Sequence, residues 1–135
     1  MAGYSEKSLL QKLGIKSGMR LIILNAPEGY DATLGRLPDA VEVVDKLDGS
    51  FDFIQFFTTE ATRLEAEFPR LKGGLTSTGM LWVSWTKKAA KIPTDLNDNI
   101  IREMGLANGL VDVKVCAVDE RWSGMKFVYR LKDRA

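Results

Sequence analysis

The chain alternates short apolar runs with polar, turn-forming segments, and the spacing within each run predicts its conformation. Residues 5 to 13 place Leu9, Leu10 and Leu13 on one helical face, with Ser5 as N-cap and Gly14 as stop. A short helix packed on the sheet edge is expected there. Leu21-Ile22-Ile23-Leu24 is apolar without interruption, the pattern of a strand covered on both faces, and is expected as a central parallel strand. Asn25-Ala26-Pro27-Glu28-Gly29-Tyr30 ends it, because proline removes a ladder donor and glycine permits a sharp turn. The stretch from Asp31 to Pro38 leaves room for roughly one helical turn, with Asp31 as cap and Gly35 as stop. A shorter strand over Ala40 to Val44 follows.

Bulky apolar residues at 51, 53, 54, 56 and 57 predict a buried strand from Phe51 to Phe57. Thr58 or Thr59 is then expected to cap a helix that turns Ala61, Leu64, Phe68 and Leu71 inward, with Pro69 kinking it or opening a new turn. Gly73-Gly74 ends this helix, and Met80 to Trp85 reads as the next strand. Pro93-Thr94-Asp95 is expected to open a helix through about Asn108. It would turn Leu96, Ile100, Ile101 and Met104 inward, set Asp95 and Asp98 at its positive end, and stop at Gly109. Val111 to Val118 and Met125 to Leu131 are joined by the short segment Asp119–Gly124, so they form an antiparallel pair. Strands that alternate with helices imply right-handed crossovers. The expected fold is therefore α/β, a three-layer Rossmann-like sheet, mostly parallel, with a C-terminal antiparallel hairpin strand. No repeat or linker interrupts residues 1–135, which read as a single domain.

Charge and composition remove several function classes. Nineteen basic residues against eighteen acidic ones leave a net charge of +1, too even for the basic stripe of a nucleic-acid binder. No apolar run approaches the roughly 20 residues of a membrane span. The opening MAGYSEKSLLQKLG is too polar for a secretory core, so a cytoplasmic protein is expected. Cys116 is the only cysteine, which excludes an internal disulfide, and there is no histidine. Nucleophile–histidine pairs and histidine zinc motifs are thereby excluded, and neither metal nor resident cofactor is expected. Any catalysis would fall to carboxylates, lysine, tyrosine, Cys116, backbone amides or a bound cofactor.

The second half, with FDFIQFF, the helix ending LKGGL, MLWVSW, IIREMGLANGL, VDVKVCAV and MKFVYRL in that order, resembles the end of a class I methyltransferase fold. The whole chain resembles a family of small bacterial proteins of unknown function, DUF3052. The resemblance is carried by Lys12–Lys16, Asn25–Tyr30, Leu81–Trp85 with Lys87-Lys88, Pro93–Leu96, Val111–Glu120 and Trp122–Gly124. The methyltransferase likeness implies a glycine-rich loop after the first strand and a ribose-binding acid after the second. Here Asn25–Gly29 holds one glycine, the crossover is short, and Asp45 alone could imitate that acid. The cofactor pocket is expected to be truncated.

Ligands of open parallel sheets sit beyond the carboxyl ends of the strands. That rule selects Asn25, Glu28 and Tyr30, then Thr58 and Thr59, then Trp85, Thr86, Lys87 and Lys88. Lys87 and Lys88, with Lys91 and free amides of the Thr94-Asp95 helix start, suit phosphate or carboxylate, or else form a solvated basic loop. Glu28 could serve as a base and Tyr30 as an oxyanion donor, or their segment is a plain turn. Trp85 and Trp122 could form an aromatic wall or simply cover the sheet edge, and Cys116 is expected in the core as an unreactive thiol. Asp119–Gly124 could bind a partner, or Arg121 could pair with a nearby carboxylate at the surface. The leading expectation is a non-catalytic module that binds a small anionic molecule or a protein partner on a truncated methyltransferase-like frame. The alternative is a small methyltransferase-like enzyme with an atypical S-adenosylmethionine site. Homo-oligomerisation through edge strands is left open.

Overall fold

A computed structural model describes residues 7–134. Ser5, the expected first cap, lies outside them. Ser8 caps α1 (Leu9–Leu13) instead: its hydroxyl accepts from the Gln11 amide at 3.2 Å, and Gln11 Oε1 accepts from the Ser8 amide at 2.9 Å. Helix α1 does not lie on the sheet edge as expected. The Trp82 indole donates to the Leu13 carbonyl at 2.9 Å, which anchors the helix over the middle of the sheet.

Strand β1 (Arg20–Leu24) pairs in parallel with β3 (Phe51–Phe57) on one side and β2 (Glu42–Val43) on the other. It is interior, one place off the centre. Between them, α2 (Tyr30–Leu34) has Gly29 at its N-cap in the left-handed region, where Asp31 was expected, and Gly35 as its stop. β2 is only two residues long, because Ala40 adopts a φ of 64° that breaks extended backbone at the start of the expected strand.

Helix α3 (Ala61–Gly73) begins after Glu60, and neither Thr58 nor Thr59 caps it. The cap comes from a distant segment: the Asp95 carboxylate accepts from the Ala61 amide at 2.7 Å. Pro69 stands inside this helix at an exposed position and opens no new turn. β4 (Leu75–Thr86) starts five residues before the expected Met80. Leu75 pairs with Phe51, the register slips, and Met80 pairs with Phe53, so a bulge absorbs the polar Thr76–Gly79 stretch. A Cβ on Gly79 would come within 2.8 Å of the Phe51 carbonyl, so the bulge requires glycine.

Helix α4 (Asp98–Ala107) starts three residues later than expected, with Asn97 Oδ1 accepting from the Ile100 amide at 2.9 Å. β5 (Leu110–Ala117) and β6 (Trp122–Tyr129) form the expected antiparallel pair, and Trp122-Ser123-Gly124 belongs to the second strand rather than to the loop. The sheet order is β2-β1-β3-β4-β6-β5, with β6 alone running against the rest. Phe51, Ile54, Phe56, Val83, Trp85, Met125 and Phe127 pack on one face beneath α3 and α4. Leu21, Phe53, Phe57 and Trp82 pack on the other, beneath α1 and α2. This is the three-layer α/β sheet read from the sequence. Cys116 departs from its expected core position: β5 is an edge strand, so the thiol is half-buried, and burial pushes its pKa up against the pull of Lys114 and Lys12.

Candidate functional site

Parallel β1, β3 and β4 bring Asn25, Thr58 and Thr86 to a common edge, as the sequence reading required. The chain leaves β1 toward α2 on one face and leaves β3 toward α3 on the other, so the switch point lies between Asn25 and Thr58. Hydroxyls on both sides of that crevice are engaged within the protein, and on the α2 side a hollow of about 340 Å³ remains, where Glu28 and Tyr30 meet the Asp119–Trp122 hairpin.

On the α2 side, the Tyr30 hydroxyl donates to Gln55 Oε1 at 2.7 Å, and Gln55 Nε2 donates to Ser84 Oγ at 3.1 Å. All three residues are buried. The Tyr30 ring meets Phe57 edge-on at 4.8 Å, and Phe57 meets Trp122 at 5.0 Å. Burial drives the Tyr30 pKa well above the ordinary tyrosine value, more than its bond to Gln55 lowers it. Tyr30 is therefore a core residue with an engaged hydroxyl, not a donor to a ligand. Asn25, at φ 59°, and Glu28 are exposed on the turn above it.

On the α3 side, Thr58 Oγ1 accepts from the Glu60 amide at 3.2 Å, so this hydroxyl orders the helix entry. The Thr59 carbonyl accepts from the Thr94 hydroxyl at 2.7 Å, and Thr94 Oγ1 accepts from the Leu96 amide at 3.1 Å. The 93–97 segment is thereby strapped across the end of β3.

A larger hollow is displaced from the switch point. It lies beyond β4, with a volume of about 730 Å³, between the β4 end and the start of α4. Trp85, Thr86, Lys87, Lys88, Thr94–Asp98, Val115 and Ser123 line it, so the structure joins Trp85, Lys87 and Lys88 but leaves out Asn25, Glu28, Tyr30, Thr58 and Lys91. The Lys87 amide donates to the Arg121 carbonyl at 2.8 Å, which fixes the loop while leaving the side chain free to turn. The free helix amides expected at Thr94-Asp95 are not there: Asp98 Oδ1 accepts from Asn99 N–H, and Asn97 Oδ1 from Ile100 N–H. Attraction for an anion therefore rests on the two lysines, against the Asp95 and Asp98 carboxylates of the same lining, each of which accepts from a backbone amide. Trp85 and Trp122 stack on opposite faces of the sheet and form no common wall. The Thr86 hydroxyl is buried without a hydrogen-bond partner among the described residues.

A second, more apolar hollow of about 360 Å³ takes in Tyr30 and the Ala26–Gly29 turn of the sequence reading, together with apolar residues that reading did not select. Leu21, Ile23, Pro27, Leu34, Leu37 and Val43 line it, and it exists because two-residue β2 leaves the flank of β1 uncovered. Nothing in the apolar pattern marks it, because the same residues would serve as core under a longer strand. Among the described residues no cluster of three or more metal-ligating side chains occurs, and no helix is long and apolar enough to cross a membrane.

No family model and no curated protein matches the chain. Solved structures do match its fold. Magnesium protoporphyrin IX methyltransferase from Synechocystis PCC 6803 with bound S-adenosylmethionine aligns at 11% identity and TM-score 0.58, over 90% of this chain and 74% of that one. A TehB-like S-adenosylmethionine-dependent methyltransferase from Corynebacterium glutamicum aligns at 11% identity and TM-score 0.59, over 91% and 86%. A similar enzyme from Aquifex aeolicus aligns at 16% identity and TM-score 0.60, over 88% and 86%. At such identities the likeness is one of fold: a methyltransferase-like sheet with its C-terminal antiparallel hairpin.

Proposed function

We propose that this chain is a binding module that keeps a methyltransferase-like sheet and takes a small anionic molecule in the hollow beyond β4 without transforming it. The observation that carries the reading is that Tyr30, Thr58 and Thr94 commit their hydroxyls to Gln55, Glu60 and Thr59 beside the crevice where sheets of this architecture hold their ligands. The remaining large hollow has the size of a small-molecule site and presents Lys87 and Lys88, neither of which joins an ion pair among the described residues. A hollow of that size fits a small molecule. Lysine in a loop holds a carboxylate or phosphate as a point charge and needs no nucleophile or base beside it. The same reading places the chain with DUF3052, on the segments given above.

One observation favours a second reading, a methyltransferase-like enzyme with an atypical cofactor site: Asp45 follows β2 and is exposed at its carboxyl end, where a ribose-binding acid would stand. Thermal unfolding at constant ionic strength separates the two. Citrate or phosphate is expected to stabilise the protein, and K87Q/K88Q is expected to lose that response. S-adenosylmethionine and S-adenosylhomocysteine are expected to leave it unmoved. A saturable shift with either cofactor, approaching about 2.7 kcal/mol at a hundred times the dissociation constant, would replace the first reading by the second.

A further inference from the structure

We propose that Lys12, Lys16, Lys114 and Lys126 form a second anion site, on the α1 face of the sheet and independent of the hollow beyond β4, for a multiply charged oxyanion of the phosphate class. Lys114 of β5 and Lys126 of β6 stand directly opposite one another in the antiparallel pair. Like charges so placed repel. The Lys114 ammonium donates to the Lys12 carbonyl at 2.8 Å, near the end of α1, which draws Lys12 and the following turn with Lys16 to the same place. That bond uses one of the three N–H donors of the ammonium and leaves two.

The three ion pairs among the described residues are Arg20–Glu42, Arg70–Glu67 and Arg102–Asp112, and none includes these lysines. Asp112 is the acid nearest in sequence to Lys114, but the bulge between them turns it to the face of Phe127 and α4, where Arg102 holds it at 2.9 Å. Burial, then the ammoniums of Lys114 and Lys16, hold the Lys126 pKa below the ordinary lysine range. Mutually repelling ammoniums with spare donors, on three half-buried lysines and the exposed Lys16, are stabilised by an oxyanion that accepts from several at once. A small polyphosphate group has the charge density and the acceptor number to do so.

The test uses the intact protein at fixed ionic strength, with tripolyphosphate replacing chloride and amide chemical shifts followed residue by residue. Saturable shifts are expected at Lys114, Lys126 and their strand neighbours, with a parallel rise in melting temperature. In K126Q the affinity should fall about tenfold or more. The phosphate-free K126Q protein should melt higher than the parent, because a repulsion has gone. K16Q, at an exposed position outside the strands, should weaken binding without disturbing the fold. Shifts confined to the Lys87-Lys88 loop, no saturable shift, or unchanged affinity in both variants would overturn the proposal.

Discussion

Tyr30 shows how one side chain can look like a reagent in the sequence and act as a fastener in the fold. Y30F leaves Gln55 Oε1 buried without its donor and is expected to cost about 1–3 kcal/mol in urea unfolding, with no change in fold. The raised pKa adds a pH signature. The unfolded chain begins to ionise Tyr30 near pH 10 while the folded chain still holds it neutral, so its contribution is complete below pH 10 and is lost as pH climbs toward the folded value. Y30F should therefore flatten part of the fall in stability measured above pH 10. Thr86 makes the opposite case. Its buried hydroxyl has no partner among the described residues, so T86V should be neutral or stabilising by up to about 1 kcal/mol in thermal unfolding. The residue types of both positions were visible in the sequence, but burial and partners decide their roles.

Among the elements, α3 depends on a residue 34 positions away. Asp95 lies in the loop before α4, yet its carboxylate holds the first amide of α3. D95A should thus destabilise α3 rather than α4, by about 1 kcal/mol, and amide exchange should quicken first around Ala61 to Leu64. A local pattern cannot express this. Pro93-Thr94-Asp95 carries the ordinary marks of a helix start, and the helix that Asp95 caps is simply another one. The same loop, tied to Thr59, displaces the usable hollow from the switch point to the end of β4. Strand β4 was legible only from Met80 onward, because the bulge over Thr76–Gly79 hides its paired beginning under polar residues. The strands Phe51–Phe57, β5 and β6 were legible with small shifts, since their apolar residues recur at strand spacing and short turns bound them.

At the scale of the whole molecule, the two apolar clusters share one sheet, so the domain should unfold as a unit. Far-ultraviolet and aromatic near-ultraviolet dichroism are expected to give coincident urea transitions, and separate midpoints would contradict a single domain. The candidate site divided when the sheet formed. Trp85, Lys87 and Lys88 stayed together because they are consecutive on one strand end, whereas Asn25, Glu28, Tyr30 and Thr58 came near the same edge on other strands and were left out of the hollow. Sequence alone determined the α/β class, the alternation of covered strands and helices, the antiparallel hairpin and the basic loop after β4, because apolar periodicity and turn residues act over a few positions. Tertiary structure decided which helix Asp95 caps, that the Tyr30 hydroxyl is bound to Gln55, that Thr94 is strapped to Thr59, and that four lysines from α1, its following turn and two strands converge. Those outcomes depend on strand order and face, which couple residues many positions apart and leave no local trace in the chain.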